Sequence, residues 1–590
     1  MPTHVGGSVD SRLDLTRIRH LVRSAAPTAL GLGICLTLFL GVVHSPQALA
    51  AAPTVAAAPG EPATEQGSAA SSGSAAGSSQ LAATPPMGFN TWNAFGCHIN
   101  ESTVRQIADT MVASGLRNAG YNYVNVDDCW GAPNRNSSGK LVANHARFPH
   151  GIKALAGYVH AQGMRFGIYG DAGTHTCNKL GSPGSLGHEL TDARTFARWG
   201  VDYLKYDNCH SNGVPAPDRY QAMRNALNQV SRAIVYSICN WGHNSPWTWA
   251  HNIGNLWRTS LDIHDSWESM IAIVHVNQGL ARFARPGHWN DPDLLEIGNP
   301  HMTHVEQRTQ MSLWSMMAAP LLISTDLRVS DYFTIQTLKN PAVIAIDQDP
   351  LGKQATVIHS ANGLTSYTKS LANGDRAVAL LNETGSARFV RTTAAAAGLQ
   401  PAPSYSLTGL WSGKKSTTNG TIRAWVPAHG TALYRVHPLH PPPAPGWTAI
   451  SALTPTSAVN GWGPIELDMS NGGKLQGDGR TLEIAGKTYA RGIGAHAVSR
   501  ITYFVGGSCS QFVTDVGVDD EVGNGGSVRF QVLADGHVVA KTGILTGASA
   551  AQQLVVDLTG ANQLTLVVTD AGDGIRSDHA DWAHARVDCG

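Results

Sequence analysis

The stretch GVDYLKYDNCH, residues 200–210, alternates apolar side chains as a buried strand does and then turns polar. Lys205 and Asp207 fall where that strand should end. Because burying an unpaired charge is costly, such groups are either paired structural ions or the working groups of a site. The segments on either side of this stretch decide between the two interpretations.

Seven other stretches between residues 87 and 327 make the same change from apolar to polar or aromatic residues. They are MGFNTW, YNYVNVDDCW, MRFGIYGD, AIVYSICNW, NLWRTSLDI, HWNDPDLLEIG and PLLISTDLR. Segments of helical period lie between most of them, for example residues 103–114 and 192–199. Eight strand–helix units in about 250 residues predict a (β/α)₈ barrel.

The ends of these strands supply the side chains of a candidate site. In this fold the C-terminal ends of all eight strands meet at one face, where active sites are built. One charged strand end is readily explained by a structural ion pair, whereas many converging ends predict an active site. The residues concerned are Trp92, Asp127, Asp128, Tyr169, Asp171, Lys205, Asp207, Asn240, Arg258, Asp262, Asp291 and Asp293.

The composition excludes several classes of function. Lys+Arg and Asp+Glu both number 42 and no basic run occurs, which argues against nucleic acid or an anionic membrane as the partner. No Gly-rich loop follows a strand as phosphate binding requires, no G-x-S-x-G motif marks a nucleophilic serine, and the histidines lack the spacing of a zinc site. Several carboxylates among aromatic residues remain, which is typical of glycoside hydrolases.

Two of these carboxylates are assigned to the chemistry. Asp207 is the candidate nucleophile, since Lys205, two residues earlier on the same strand face, should keep it ionised. Asp262, at the end of the sixth strand, comes from across the barrel and is the candidate acid/base. Arg258 should face the same way as Asp262, where it would bind a substrate hydroxyl and tune that acid.

Other interpretations of these acids stay open. Asp262 also fits the N-cap of the helix predicted for DSWESMIAIVH, although Asp265, with Glu268 three residues on, fits that role better. Asp291 and Asp293, in WNDPD, compete for either catalytic role, and the proline between them favours a loop-shaping function instead.

The motifs TPPMGFNTWNAFGC, YNYVNVDDCW, RFGIYGDAGTHTC, YLKYDNC, YSICNWG, WRTSLDI, PGHWNDPDLLEIGN, MAAPLLISTDLR and VIAIDQDPLGKQ follow one another along the chain. In this order they resemble the α-galactosidase family, which also holds α-N-acetylgalactosaminidases, and the resemblance covers residues 84–436. It implies a retaining mechanism through a covalent galactosyl intermediate. It also implies Asp207 as the nucleophile and Asp262 as the acid/base, in agreement with the assignment above.

The same resemblance implies the sugar contacts. Trp92 should form an apolar wall for the ring, and Asp127 and Asp128 should accept hydrogen bonds from the 6- and 4-hydroxyls. Asn240, where many members carry Glu, should bond the 2-hydroxyl. The full implied set is Trp92, Asp127, Asp128, Tyr169, Lys205, Asn240 and Arg258.

Substrate preference follows from this set. A buried carboxylate on the axial 4-hydroxyl would select galactose over glucose, since a misplaced hydroxyl leaves the acid unsatisfied. β-L-Arabinopyranosides lack carbon 6, so Asp127 favours galactosides, and β-L-arabinopyranosidase is an alternative. α-N-Acetylgalactosaminidase is a second alternative, although Asn240 is not obviously small enough to admit the acetamido group. An inactive, lectin-like galactoside binder is the alternative from another class, and intact Asp207 and Asp262 argue against it.

Eight cysteines are present, and Cys35 leaves with the predicted signal, so an odd number remains and one should be free. The family pairing leaves Cys239 as that free thiol. The expected disulfides are Cys97–Cys129 and Cys177–Cys209 in the barrel and Cys509–Cys589 near the C-terminus.

Composition divides the chain into segments. Arginines before an apolar run at residues 29–43 and a small-x-small site at residues 48–50 predict a signal peptide, with an uncleaved membrane anchor as the alternative. Short alternating runs such as LTSYTKS and RAVALLNE predict an antiparallel β-sandwich. The predicted segments are a signal peptide (1–50), a disordered Ala/Ser/Gly linker (51–83), the catalytic barrel (84–353), the β-sandwich (354–436), a Pro-rich linker (437–446) and a β jelly-roll module (447–590).

The C-terminal segment resembles a carbohydrate-binding module found on many secreted glycosidases, in the motifs NGWGPIELDMSNGG, YARGIGAHA and DHADWA. The resemblance implies a galactose-binding-like jelly roll. Its acids are candidates either for a structural calcium site or for turn caps. They are Asp519, Asp520, Glu521, Asp573, Asp578 and Asp581.

Together these observations predict a secreted, extracellular exo-α-galactosidase. Its expected partners are α-galactosides, namely oligosaccharides and galactomannan side chains. We expect no cofactor for catalysis, no nucleic acid partner, and no membrane contact after signal cleavage.

Overall fold

The computed structural model describes residues 81–178 and 181–590. The predicted signal peptide and residues 51–80 of the predicted linker lie outside the described residues. Within the described part, no helix combines the length and apolar character that a membrane crossing requires.

Eight parallel strands form the first sheet, in the order β7-β6-β5-β4-β3-β2-β1-β8. A parallel bridge between Leu295, just after β7, and Ile323 of β8 closes this sheet into a barrel. The predicted (β/α)₈ barrel is therefore confirmed, with every strand at one of the eight quoted stretches. The strands are β1 (Met87–Asn90), β2 (Tyr123–Val126), β3 (Arg165–Asp171), β4 (Tyr203–Asp207), β5 (Val235–Ile238), β6 (Leu256–Arg258), β7 (Trp289–Asp291) and β8 (Leu321–Ile323).

Helices follow most of these strands, and only short 3₁₀ turns at Pro246–Thr248 and Ala250–Asn252 join β5 to β6. Gly200, the first residue of the opening stretch, ends α4 with a left-handed φ of 86°, which glycine adopts without strain. The helices are α1 (Trp92–Phe95), α2 (Glu101–Ala113), α3 (Gly151–Ala161), α4 (Glu189–Trp199), α5 (Ala216–Leu227), α6 (Trp267–Asn277), α7 (His304–Met317), α8 (Tyr332–Leu338) and α9 (Pro341–Asp347).

The barrel interior is filled below the level of the site. Tyr203 lies on the same face of β4 as Lys205 and Asp207, two and four residues earlier, and is buried. Its ring contacts the buried ring of Tyr123 from β2 with centroids 5.5 Å apart. These rings are part of a packed core, so a ligand reaches Asp207 from the C-terminal face.

An antiparallel β-sandwich follows the barrel. One sheet has the order β14-β13-β16-β11-β10-β9, and β12 pairs with β15 in a second, two-stranded sheet. The sandwich packs on α7, where Lys369 donates to the Ser315 carbonyl at 2.9 Å. Its strands are β9 (Thr356–Ala361), β10 (Leu364–Ser370), β11 (Arg376–Asn382), β12 (Arg388–Thr393), β13 (Ser404–Gly409), β14 (Lys415–Thr418), β15 (Thr421–Val426) and β16 (Thr431–Leu439).

The C-terminal module consists of two larger antiparallel sheets and a short two-stranded one. Their facing sides enclose a core that includes the buried Trp582. This is the two-sheet β arrangement that the sequence predicts. The strands are β17 (Gly446–Ala449), β18 (Ser457–Val459), β19 (Glu466–Leu467), β20 (Leu482–Ile484), β21 (Lys487–Tyr489), β22 (Gly492–His496), β23 (Ser499–Phe504), β24 (Cys509–Val518), β25 (Ser527–Ala534), β26 (His537–Lys541), β27 (Leu545–Thr546), β28 (Gln552–Asp557), β29 (Gln563–Thr569) and β30 (His579–Cys589).

The three expected disulfides are formed, Cys97–Cys129, Cys177–Cys209 and Cys509–Cys589. Cys239 is the free cysteine among the described residues and is buried. Cys177–Cys209 ties the loop after β3 to the loop after β4, which begins next to Asp207.

Candidate active site

The C-terminal strand ends surround a cavity with about 420 Å³ of empty space. Six of the seven sugar contacts implied by the sequence, and both candidate catalytic acids, line it. The lining residues are Trp92, Asp127, Asp128, Tyr169, Cys177, Lys205, Asp207, Trp241, Arg258, Asp262, Asp293 and Leu294.

Asp127 and Lys205 form an ion pair in the lining of this cavity. The Lys205 ammonium lies 2.8 Å from Asp127 Oδ2, and the Asn90 amide donates to the same oxygen at 2.7 Å. Asp127 Oδ1 accepts the Asp128 backbone N–H at 2.9 Å. Asp127 is buried, so these donors hold its carboxylate in one orientation, with remaining acceptor capacity for a ligand hydroxyl.

Asp207 is buried at the end of β4, where its Oδ1 accepts the Asn208 backbone N–H at 3.0 Å. Burial raises the pKa of the Asp207 carboxyl to about 6. The Lys205 charge lowers this pKa, as the sequence predicts, while Asp127 and Asp262 raise it. Burial outweighs the lysine, so Asp207 is harder to ionise than an exposed aspartate, although at neutral pH it is still mainly a carboxylate.

Asp262 approaches the cavity from the loop after β6 and remains half-exposed, with a side-chain exposure of 55%. Partial burial raises the pKa of Asp262, but the positive charges around it, above all the Arg258 guanidinium 3.0 Å away, lower it by more. The net pKa of Asp262 therefore lies below its usual range. Arg258 therefore contacts the candidate acid as expected. It also lies 2.8 Å from the buried Asp293.

Asp128 and Tyr169 present polar atoms to the cavity. Asp128 accepts the Cys129 backbone N–H at 2.6 Å, and burial raises the pKa of its carboxyl. The Tyr169 hydroxyl is buried and has no hydrogen-bond partner among the described residues. An unpaired buried hydroxyl is costly, so this O–H is available to a ligand oxygen.

The structure does not bring Asn240 to the cavity. Its side chain is fully buried and its Nδ2 donates to the His243 carbonyl, so Asn240 is not among the lining residues. The neighbouring Trp241, with a left-handed φ of 47°, lines the cavity instead. Sequence reasoning missed Trp241 although it lies at the same strand end, because strand alternation does not predict which residue of a loop turns inward.

The hydrogen bonds of the neighbouring acids show which backbone groups they hold. Ser266 is the N-cap of α6, accepting the Ser269 N–H at 3.2 Å, so neither Asp262 nor Asp265 has that role. Asp265 instead accepts the backbone N–H groups of the loop at residues 301–302. Asp293 bonds the Ile263 N–H at 2.8 Å, which anchors the loop that carries Asp262.

Asp171 lies directly beside Asp207 in the β3–β4 register. Burial, followed by the Asp207 charge, raises the pKa of Asp171 to about 8. Among the described residues, Asp171, Cys177 and Cys209 are the one group of three candidate metal ligands with atoms within 4.8 Å of one another. The two cysteines are bonded to each other, so their sulfurs are not thiolate ligands.

A wider groove, with about 1520 Å³ of empty space, continues from the cavity past Trp92 and Asp262. Its acidic lining residues are Asp262, Asp265, Glu296 and Asp326. Sequence reasoning missed Glu296, which is buried and accepts the amides of Asn93 and Asn299. Burial raises the pKa of Glu296 to about 7.

The acids of the C-terminal module mainly accept local hydrogen bonds. Asp519 accepts the Glu521 N–H at 2.9 Å, and Asp520 accepts the N–H groups of residues 485 and 486. Asp581 differs, since it is fully buried and neither of its oxygens has a hydrogen-bond donor among the described residues. The turn-cap interpretation therefore accounts for Asp519 and Asp520, and the calcium prediction rests on Asp581 and its neighbours.

A (β/α)₈ barrel that holds two carboxylates from different strands in an aromatic-walled cavity has the equipment of a glycoside hydrolase. The comparisons with known proteins agree with this class. Three protein-family models match the chain. The alpha galactosidase A family matches residues 84–349, the alpha galactosidase C-terminal β-sandwich domain matches residues 361–436, and the NPCBM/NEW2 domain matches residues 446–588.

The α-galactosidase of Cyamopsis tetragonoloba is 47% identical over 359 residues, which cover 61% of this chain and 87% of that protein. The chain therefore belongs to the α-galactosidase family and is a glycoside hydrolase. The crystal structure of α-galactosidase I from Mortierella vinacea matches with a TM-score of 0.59 and 37% identity, covering 61% of this chain and 98% of that one. The α-galactosidase of Saccharomyces cerevisiae, solved with raffinose, matches with a TM-score of 0.58 and 30% identity over 61% and 98% of the two chains.

Proposed function

We propose that the chain is a secreted, retaining exo-α-galactosidase that removes terminal α-linked galactose by double displacement. The observation that carries the proposal is that Asp207 and Asp262 line one cavity while coming from different strand ends. They are close enough that the Asp262 charge raises the pKa of Asp207. A nucleophile and an acid/base on opposite sides of one sugar ring are what double displacement requires.

In the first step, Asp207 attacks the anomeric carbon and forms a bond between that carbon and a carboxylate oxygen. The bond from the anomeric carbon to the leaving oxygen breaks, and Asp262 gives its proton to that oxygen. Asp207 must be ionised and Asp262 protonated for this step. Asp262 is the half-exposed member of the pair, which suits a group that exchanges protons with water.

In the second step, Asp262 takes a proton from a water molecule as the water oxygen attacks the anomeric carbon. The bond to Asp207 breaks and returns that side chain as a carboxylate. Two inversions give net retention, so α-galactose is the first product. Arg258, bonded to both Asp262 and Asp293, keeps the acid/base loop in place through both steps.

Selection of galactose rests on the buried end of the cavity. Asp127, Asp128 and Lys205 supply polar atoms there that are costly to leave unpaired. A sugar with an axial 4-hydroxyl and a 6-hydroxyl would satisfy them, whereas glucose would misplace the first and an arabinopyranoside would lack the second. Asn240 is turned away, so selection against the N-acetyl group rests on Trp241 and its loop.

The wide groove beyond Asp262 suits the leaving group. Its position next to the acid/base is where the rest of an oligosaccharide must lie once galactose fills the cavity. Four acidic side chains line this groove, and an anionic leaving group would have to lose water beside their negative charges. The groove therefore favours uncharged leaving groups. Neutral oligosaccharides and galactomannan side chains are therefore the proposed substrates, in line with the raffinose-bound relative.

The test compares hydrolysis of nitrophenyl α-galactoside, β-L-arabinopyranoside and α-N-acetylgalactosaminide. We expect the galactoside to have the largest kcat/KM, α-galactose to be the first product by NMR, and a fluorinated galactosyl inhibitor to label Asp207. Preference for another glycoside would replace the substrate, and β-galactose as first product would refute retention. Binding of galactose with no turnover would establish the lectin-like alternative.

Secretion is supported by the N-terminal sequence and by the three disulfides, which persist in oxidising compartments. Fractionation of the source cells, followed by N-terminal sequencing of the enzyme in the medium, tests it. An enzyme retained in the membrane fraction with residues 29–43 intact would show the anchor alternative instead.

A further inference from the structure

The two-stranded sheet of the β-sandwich has an outer face without any covering element among the described residues. The buried residues of β12 and β15 all stand at even positions, and three of them, Val390, Ile422 and Val426, belong to the sandwich core. The odd positions are exposed, and the register pairs Phe389 with Trp425. We call this outer surface the β12–β15 face.

Phe389 and Trp425 form an exposed aromatic pair on this face. Their ring centroids are 4.7 Å apart in an edge-to-face arrangement, and the residues are 63% and 62% exposed. Such a pair stabilises the strand pairing, but it leaves most of the aromatic surface in water. Exposed aromatic surface of this kind marks interaction sites.

The next cross-strand pair on this face, two residues along β12, is Arg391 opposite Arg423. Both residues are exposed, and no salt bridge joins either to an acid in the part of the chain that the structure describes. Like charges directly opposite each other destabilise a strand pair. A carboxylate held between the two guanidinium groups would remove that repulsion and form charge-assisted hydrogen bonds.

A groove continues the face beyond Arg423. It contains about 840 Å³ of open space between β14 and β15, and Arg423 and Thr421 form one of its walls. Ser416 and Thr417 of β14 line it with hydroxyl groups, and no acidic residue is among its lining residues. The groove thus combines hydroxyl groups with a cation, in contrast to the acidic groove next to the catalytic cavity.

We propose that the β12–β15 face binds an acidic polysaccharide, a chain of pyranose rings that bears carboxylates. A sugar ring stacks on Trp425, a carboxylate lies between Arg391 and Arg423, and sugar hydroxyls bond the side chains of the groove. The aromatic row and the arginine row are two residues apart along the strands, about 6.5 Å, which is the scale of one sugar unit. This face lies on the sandwich, so it would hold the enzyme on a polymer without occupying the catalytic cavity.

The experiment is affinity electrophoresis of the full chain in native gels that contain polygalacturonate, galactomannan or no polymer. We expect polygalacturonate to retard the protein, salt to weaken the effect, and Arg391→Ala with Arg423→Ala to weaken binding at least tenfold. Trp425→Ala should weaken it to a similar extent. Arg500→Ala, at an exposed arginine of β23 in the C-terminal module, is the matched control and should change nothing.

Hydrolysis of nitrophenyl α-galactoside should be the same in all of these variants, which separates this proposal from the proposed catalytic function and checks folding. Absence of retardation by polygalacturonate at low salt would overturn the proposal. Equal, salt-insensitive retardation by galactomannan would also overturn it, since recognition would not depend on charge. A dimer in sedimentation that Trp425→Ala converts to monomer would assign the face to a second copy of the chain.

Discussion

Replacing Asp207 by asparagine tests both the catalytic assignment and the cost of burying this acid. Asparagine has the shape of a protonated aspartate, and its amide oxygen can still accept the Asn208 N–H. It cannot attack the anomeric carbon as a carboxylate does. We therefore expect turnover to fall by at least about 10³-fold, as loss of a nucleophile requires.

The same substitution should stabilise the barrel at neutral pH. Burial raises the pKa of Asp207 from 3.8 to about 6, so the folded state binds a proton that the unfolded state has released. Stability is therefore lost as the pH rises from about 4 to about 6, and the loss amounts to about 3 kcal/mol above that range. Asparagine avoids this loss, so the gain should be up to about 3 kcal/mol at pH 7.5 and near zero at pH 4.

Differential scanning calorimetry of the intact chain measures this difference. The barrel transition is the one that added galactose shifts upward in the wild type. At about 2–4 °C per kcal/mol, the variant transition should rise by up to roughly 6–12 °C at pH 7.5. Asp347→Asn is the matched control, because burial also raises the pKa of Asp347, to about 8, and Asp347 lies in α9 and does not line the cavity. It should show a pH-dependent gain that continues up to about pH 8, and it should retain turnover.

Two results would refute the reasoning about Asp207. Turnover within tenfold of the wild type would exclude Asp207 as the nucleophile. A variant with a lower melting temperature than the wild type would show that burying the Asp207 charge costs no stability. A difference in melting temperature that does not change with pH would show the same.

Three further predictions concern the acids. Asp262→Ala should lower kcat/KM by about 10²–10⁴-fold for poor leaving groups and much less for nitrophenyl galactosides, and equal losses for both in steady-state assays would contradict its role as the acid. The first step needs one proton on the Asp207–Asp262 pair, and the higher pKa of the two, near 6 at Asp207, marks where the pair loses that proton, because Arg258 holds the pKa of Asp262 below its usual range. The value of kcat/KM should therefore fall as the pH rises above about 6, and a rate that stays flat to pH 8 would disagree. Asp581→Asn should raise the melting temperature of the C-terminal module in a chelator, increasingly with pH, because burial raises the pKa of Asp581 far above its usual value. Added calcium that stabilises the wild type but not this variant would instead support the calcium prediction.

Much of the barrel was predictable because it rests on local periodicity. Each buried strand needs a run of apolar residues, and the turn to polar residues at its end shows which edge holds a site. Alternation along β4 was enough to place Lys205 and Asp207 on one face, since side chains in a strand have a period of two. The disulfides followed from family resemblance rather than from spacing.

Loops have no such period, so only the tertiary structure shows which of their side chains face the cavity. Asn240 turns into the protein and Trp241 into the cavity, against the expectation for Asn240, because the chain adopts a left-handed φ at Trp241. Ser266, rather than either aspartate, caps α6. Glu296 becomes part of the site only because the loop after β7 folds against α1, where the Asn93 amide donates to it.

The direction of the pKa shift at Asp207 also could not be predicted from the sequence. Lys205 two residues before Asp207 suggested a readily ionised nucleophile, but the lysine pairs with Asp127 from another strand, and burial determines the sign of the pKa shift. The amino-acid sequence alone determined which side chains at the strand ends belong to the C-terminal face of the barrel, since strand alternation is a local property. Which of those groups touch, and how far each is removed from water, depends on contacts between distant segments, and only the folded chain determines these.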